Sequence, residues 1–265
     1  QIMTQWFVDV NKSIVERDNK SLKELMHEAV SSGAIKILPE RFEKIYFHWI
    51  DNLHDWNISR QIWYGHRIPA WYRKDAVYVG IGAPQGDGWE QDPDTLDTWF
   101  SSGLWTFSTL GWPDKTKDLE IYHPTDVIES GYDILFPWIA RMILMSEFLL
   151  GTIPFKTVYL HGLVRNEKGE KLSKSLGDNI DPLDISFQYG TDALRMALIV
   201  GVGPGSDSKL GNDKVKAYKN FANKLWNVAR FVLSQERGGE LDRDLVGEFN
   251  ALAKDITLDM ENYRF

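Results

Sequence analysis

The sequence predicts an α/β region followed by an all-α one. Between residues 19 and 200, apolar positions recur alternately at three-and-four spacing, as in helices, and in short strand-like runs. From Lys214 onward only the helical spacing remains. A 43% hydrophobic, 26% charged composition over 265 residues is that of a folded globular chain, enough for one large domain or two ordinary ones.

Taken in order, Leu22, Leu25, Met26, Ala29 and Val30 line one face of a helix over residues 19–32, with Asn19 as its cap and Gly33 at its end. A strand-like run at 35–38 stops at Pro39. Phe42, Ile45, Tyr46, Trp49, Ile50 and Leu53 then mark a second helix. Residues 64–79 alternate aromatic and polar groups around Pro69, as short strands do. The Gly-, Pro- and Asp-rich stretch 80–94 is a loop; its Gly80-x-Gly82 opens no helix and so is no dinucleotide loop. Val127-Ile128 makes a buried strand, which Gly131-Tyr132-Asp133 turns into an apolar helix over 134–150. Arg141 and Glu147 interrupt that helix, and it falls short of the roughly 20 residues that span a bilayer. A β-like run at 157–164 and a polar turn at 165–170 lead to Lys171-Leu172-Ser173-Lys174-Ser175. A helix over 192–200, capped by Thr191, precedes Gly201-x-Gly203-Pro204-Gly205, which follows a helix and reads as a loop. Tyr218, Phe221, Leu225, Val228, Ala229 and Val232 line one late helix. Leu245, Phe249, Leu252, Ile256 and Met260 line another beyond Gly238-Gly239. Together they predict an antiparallel pair with one face awaiting further helices.

A formal charge of −8 excludes nucleic acid held by a global positive field, though not by a local one. Residues 156–174 carry five Lys/Arg against two Glu, a local +3. The absence of cysteine excludes disulfides and thiolate zinc sites and fits a reducing, cytoplasmic setting. His27, His48, His54, His66, His123 and His161 show no metal-ligand spacing, so no protein-bound structural metal is expected. No signal peptide opens the chain. It starts at Gln1 in mid-pattern and ends with Tyr263-Arg264-Phe265 inside a helical pattern, which reads as a piece of something longer.

Three places carry candidate chemistry. Lys171 and Lys174, interleaved with Ser173 and Ser175, place two ammonium groups and two hydroxyls on a loop beyond a strand, where α/β proteins bind nucleotides. Such lysines offset charge on phosphate oxygens during phosphate-bond cleavage; a solvated lysine-rich turn is the plainer alternative. Gly131 and Asp133 lie where a strand turns into a helix start. Asp133 either accepts hydrogen bonds from ribose hydroxyls or stabilises its own helix dipole. Trp99 and Trp138 either wall a small apolar pocket or fill a core.

The pentapeptide Lys171–Ser175 resembles the K-M-S-K-S signature of class I aminoacyl-tRNA synthetases, with Leu for Met. Trp56-Asn57-Ile58-Ser59-Arg60-Gln61, Gly65-His66-Arg67-Ile68-Pro69-Ala70-Trp71 and Leu96-Asp97-Thr98-Trp99-Phe100-Ser101-Ser102 resemble the valyl branch of that family. So do Ser108-Thr109-Leu110-Gly111-Trp112-Pro113 and Phe221-Ala222-Asn223-Lys224-Leu225-Trp226-Asn227. The isoleucyl branch usually carries Asp where this chain has Ser101. An isoleucyl-type enzyme and a non-catalytic, synthetase-derived module for tRNA or protein binding are the alternatives.

The resemblance implies the C-terminal half of a Rossmann-type catalytic domain, with four segments. Residues 1–44 return from the editing insertion, and 45–155 form the catalytic half. Residues 156–213 form a junction domain with the signature loop, and 214–265 start a helical anticodon-binding domain. It implies ATP-dependent ligation of valine to tRNA(Val) through valyl-adenylate, with ATP and Mg2+ as substrate. Lys171 and Lys174 would hold the β- and γ-phosphates, with Ser173 and Ser175 ordering the loop or adding hydrogen bonds. Gly131 and Asp133 would meet the adenylate ribose, Gly162 and Leu163 the adenine, and Trp99 and Trp138 the valine side chain. Such a pocket cannot strongly reject threonine, a limit for which the valyl enzyme is a standard example. The chain departs from the family in lacking H-I-G-H, the editing domain and the cysteine zinc knuckle that many relatives carry between Val79 and Leu96. Asn57 stands where Cys is frequent. The missing N-terminal half is therefore an expected partner, and the piece alone is expected to be inactive.

Overall fold

Ser21, not Asn19, starts the first helix, α1 (Leu22–Ser31). The Ser21 hydroxyl accepts from the Glu24 amide at 3.3 Å while the Glu24 carboxylate accepts from the Ser21 amide at 2.8 Å, a reciprocal cap that satisfies two otherwise orphaned donors. Asn19 instead adopts a positive φ of 61° in the turn before it. The computed structural model describes residues 4–166, 169–170, 181–236, 238–239 and 242–265. They fall into two compact units, Gln1–Leu160 and His161–Phe265.

In the first unit α1 is followed by β1 (Lys36–Leu38) and α2 (Arg41–Asp51). The later strands β5 (Thr125–Gly131) and β6 (Phe155–His161) build a three-stranded sheet with β1, in which β6 is central and parallel to β1. Residues between them form a small antiparallel sheet of β2 (Ala70–Arg73), β3 (Ala76–Val79) and β4 (Glu90–Gln91). Met26, Ile35, Ile37, Ile50, Phe107, Ile143, Phe155 and Leu160 belong to one core, from which water is fully or almost fully excluded. Tyr46 joins it because its hydroxyl donates to the Met26 carbonyl at 2.9 Å, and burial pushes its pKa up.

The apolar run 134–150 is not one regular helix. Gly131 leads into a tight turn at Tyr132–Ile134, then a stretch of wide π-type turns at Leu135–Ala140, and only then α4 (Arg141–Leu149). Pro137 lies inside the wide stretch and has no N–H for the ordinary ladder, a sufficient reason for the irregularity. Residues 98–102, too apolar for a solvated loop, form the short helix α3 (Thr98–Ser102), capped by Asp97.

The second unit sets α5 (Pro182–Tyr189) and α6 (Thr191–Ile199) between two parallel two-residue strands, β7 (Val164–Arg165) and β8 (Ser208–Lys209). Asp181 caps α5 and Pro182 occupies its first position, where a missing N–H costs nothing. Thr191 lies inside α6, whose cap position is taken by Gly190 at φ 96°. Ile185, Ala193, Leu194, Ala197, Leu210 and Val215 form a small core beneath α7 (Asn212–Leu233). The last helix, α8 (Arg243–Glu261), buries none of its residues. The expected close antiparallel pairing of the two late helices is therefore not seen. Phe249, Leu252 and Ile256 remain open to solvent because no packed face covers them.

Candidate active site

Both candidate pocket tryptophans lie in the first unit, half-buried against its core. Trp99 rides on α3. Trp138 lies in the π-type stretch before α4, its indole Nε1 donating to the Ser102 carbonyl at 3.2 Å. That bond joins the C-terminal end of α3 to the segment bearing the second tryptophan. Gly103 follows immediately, so close to α4 that a Cβ there would meet the Met145 Cγ at 3.0 Å and the Arg141 carbonyl at 3.2 Å. Trp105 adds a third indole, 6.1 Å from Trp138 between ring centroids.

The N-terminal end of α3 is held by a charged cluster that sequence reasoning missed. The buried Asp97 carboxylate caps α3 through the Trp99 amide at 3.3 Å, accepts from Trp56 Nε1 at 2.9 Å, and pairs with Arg60 at 2.9 Å. Arg141 is 6% exposed, its guanidinium 4.0 Å from the Trp56 ring centroid and 4.9 Å from that of Phe136. Burial pushes its pKa down to about 10, with the charge of Asp97 opposing, so it stays protonated at neutral pH. Its Nη1 is buried and has no hydrogen-bond partner among the described residues. The signal was present in the sequence as the lone basic residue inside the most apolar run. The partner that explains it lies more than 40 residues upstream.

The other predicted site residues divide between the two units. Gly131 is buried at the end of β5; Asp133 is exposed, in a three-residue turn instead of the first turn of a long helix, and its carboxylate has no ion pair among the described residues. Gly162 and Leu163 belong to the second unit. A Cβ on Gly162 would run into the Ser206 carbonyl, so a close approach of this chain's own backbone already demands glycine there. Both backbone groups of Leu163 are engaged: its amide donates to Asp207 Oδ1 at 2.8 Å and its carbonyl accepts from the Ser208 amide at 3.0 Å. Asp207 also pairs with Arg165 at 2.5 Å. Lys171, Ser173, Lys174 and Ser175 lie outside the described residues.

Ser101 accepts from or donates to His66 Nδ1 at 2.7 Å, tying the 65–68 loop to α3. Beside the 80–94 loop the chain packs aromatics: Trp71 and Tyr78 lie 6.2 Å apart between ring centroids, Tyr78 and Trp89 6.3 Å, and Arg73 covers Trp89 at 4.6 Å. Among the described residues no group of three His, Cys, Asp or Glu side chains is placed to hold a metal ion. An apolar groove of about 780 Å3 in the first unit is lined by Ile58, Phe100, Leu104, Trp112, Leu144 and Met145, among others, and by neither Trp99 nor Trp138. Among the described residues no helix is long and apolar enough to cross a membrane.

The fold of the first unit is of the α/β class. The family model described as tRNA synthetases class I (I, L, M and V) matches residues 1–83 and 81–210, and the chain belongs to that family. Its similarity is high to curated valine–tRNA ligases. The one from Dehalococcoides mccartyi (strain CBDB1) is 48% identical over 100% of this chain and 31% of its own length. That of Clostridium acetobutylicum is 46% identical over 99% and 31%, and that of Bacillus subtilis (strain 168) 48% over 93% and 28%. The chain thus spans less than a third of the length of these relatives. Among solved structures, Mycobacterium tuberculosis methionyl-tRNA synthetase in complex with methionyl-adenylate superposes with a TM-score of 0.71 at 22% identity, covering 91% of this chain and 46% of that one. Agrobacterium radiobacter K84 LeuRS, in its ternary complex with tRNA and LeuAMS, gives 0.68 at 18% identity, covering 84% and 37%. These two likenesses concern the fold alone.

Proposed function

We propose that this chain is part of a valine–tRNA ligase, which joins valine to tRNA(Val) at the expense of ATP presented with Mg2+. The observation that carries the reading is 44–53% identity to valine–tRNA ligases across 88–100% of the chain. In the first step the valine carboxylate oxygen attacks the α-phosphorus of ATP, forming valyl-adenylate and breaking the bond to pyrophosphate. In the second a ribose hydroxyl at the tRNA terminus attacks the adenylate carbonyl and AMP leaves. No covalent enzyme intermediate is required, so positioning and charge stabilisation supply most of the rate.

On this reading Lys171 and Lys174 hold the β- and γ-phosphates while pyrophosphate leaves, and Ser173 and Ser175 order their loop. Gly131 and Asp133 face the adenylate ribose; the carboxylate of Asp133, exposed and with no ion pair among the described residues, supports that role. Gly162 and Leu163 pass the adenine; the main-chain groups of Leu163 are already used by Asp207 and Ser208, so its contact is one of shape. Trp99 and Trp138 wall the valine side chain. The segments are 1–44, 45–155, 156–213 with the signature loop, and 214–265, whose uncovered apolar faces suit an unfinished helical bundle. The remaining catalytic half is a partner within the longer parent chain, and the work is that of the cytoplasm.

The test is Lys174→Ala in the full-length parent. Pyrophosphate exchange should show kcat for adenylate formation falling by about 100-fold or more, while the valine KM changes little. Equal losses in both would contradict a role confined to the transition state. The 265 residues alone contain no H-I-G-H string and should exchange pyrophosphate far more slowly than the parent.

A further inference from the structure

Helix α3 is tied at both ends to the segment that carries the other tryptophan, and one residue, Arg141, takes part in both ties. At the N-terminal end its guanidinium packs on Trp56 at 4.0 Å, and Trp56 in turn holds the capping Asp97 at 2.9 Å. At the C-terminal end its carbonyl abuts Gly103, one residue beyond the Ser102 carbonyl that accepts from Trp138. Gly103 has φ −66° and ψ −18°, a conformation any residue adopts, so its backbone gives no reason for glycine. The reason is contact. A Cβ there would sit 3.0 Å from the Met145 Cγ, which can rotate away, 3.1 Å from the Trp99 carbonyl of α3 itself, and 3.2 Å from the Arg141 carbonyl of α4. Neither carbonyl can swing aside as a side chain does, so a Cβ is accommodated only by a shift of a few tenths of an ångström where the end of α3, with the Trp99 backbone, meets α4.

From this we infer that Gly103 and Arg141 are positioning residues that set the width of the amino-acid pocket by fixing Trp99 relative to Trp138, and that they thereby exclude side chains one methylene larger than valine. The inference rests on the reading of the two tryptophans as the valine pocket. A pocket wall is worth only about 10- to 200-fold against one extra methylene, so a displacement of a few tenths of an ångström is enough to lose much of it.

The experiment compares amino-acid-dependent pyrophosphate exchange with valine and with isoleucine in the full-length parent, as wild type, Gly103→Ala and Arg141→Lys. The ratio of the two kcat/KM values should fall about tenfold in Gly103→Ala and in the same direction, less steeply, in Arg141→Lys, which keeps the charge but loses the flat stack. A merely structural role lowers both amino acids alike and leaves the ratio where it was; that result, or unchanged kinetics, overturns the inference while valine activation by the wild type stands. If Gly103→Ala does not fold, Arg141→Lys alone is read by the same criterion. A wild-type parent that fails to activate valine overturns the functional reading itself, and this inference with it.

Discussion

The two units treat their apolar residues very differently. In the first, α1, α2, α4 and the three-stranded sheet close over one continuous core, and Met26, Ile37, Ile143, Phe155 and Leu160 are sealed from water. In the second, a core of small and medium side chains sits under α6 and α7, while Phe231, Leu245, Phe249 and Leu252 stand more than half exposed. Sequence pattern alone makes the two look alike, since both show helical three-and-four spacing. The difference is whether another element is present to receive the stripe, and helix stability comes mainly from that packing, not from propensity.

Substitution sharpens the contrast. Phe155→Ala should cost about 3–5 kcal/mol, because it empties a sealed site that neighbours cannot fill, whereas Leu252→Ala on α8 should stay within about 0.5 kcal/mol. Urea denaturation followed by tryptophan fluorescence reads both. Comparable losses would mean that α8 is packed in solution and that the contrast between the units is wrong.

The sequence made the scaffold readable and left the fastenings hidden. The faces of α1 and α2 followed from Met26, Ala29, Tyr46 and Ile50, because a packed stripe must repeat with the helix. Caps shifted by a few residues: Asn19 and Ser21 are both good cap types, and only the reach of Glu24 decides between them. The irregular course at 132–140 was signalled by Pro137, yet the apolar run around it reads as a plain helix. Trp99 and Trp138 read as pocket walls instead of core only through resemblance, since indoles more often fill cores than line pockets. The links between them, Asp97 to Trp56 to Arg141 and Ser102 to Trp138, join residues distant in sequence and leave no local pattern.

A smaller effect tests the first unit at a second point. His123 is partly buried, with Nε2 at 3.2 Å from both Ser146 Oγ and Thr152 Oγ1. Burial holds its pKa below the ordinary 6.5, a backbone contact with Thr106 opposing. As pH falls through 6.5 the unfolded chain takes up the proton first. The stability contributed by the neutral ring is therefore complete above 6.5 and is lost as pH drops toward the folded value. Between about pH 7 and about pH 5 the Tm of the wild type should fall more steeply than that of His123→Gln. Parallel curves would show that the ring does not titrate with unfolding.

The claim on which the account rests is the proposal that Trp138, whose indole donates to the Ser102 carbonyl at the end of α3, forms a wall of a valine pocket. Its most direct test is the kcat/KM for valine in pyrophosphate exchange by the full-length parent carrying Trp138→Ala. The account predicts a loss of about 30-fold or more, as for a buried aromatic anchor removed from a binding site, in an enzyme that stays folded. A folded Trp138→Ala enzyme that activates valine as efficiently as the wild type would contradict it.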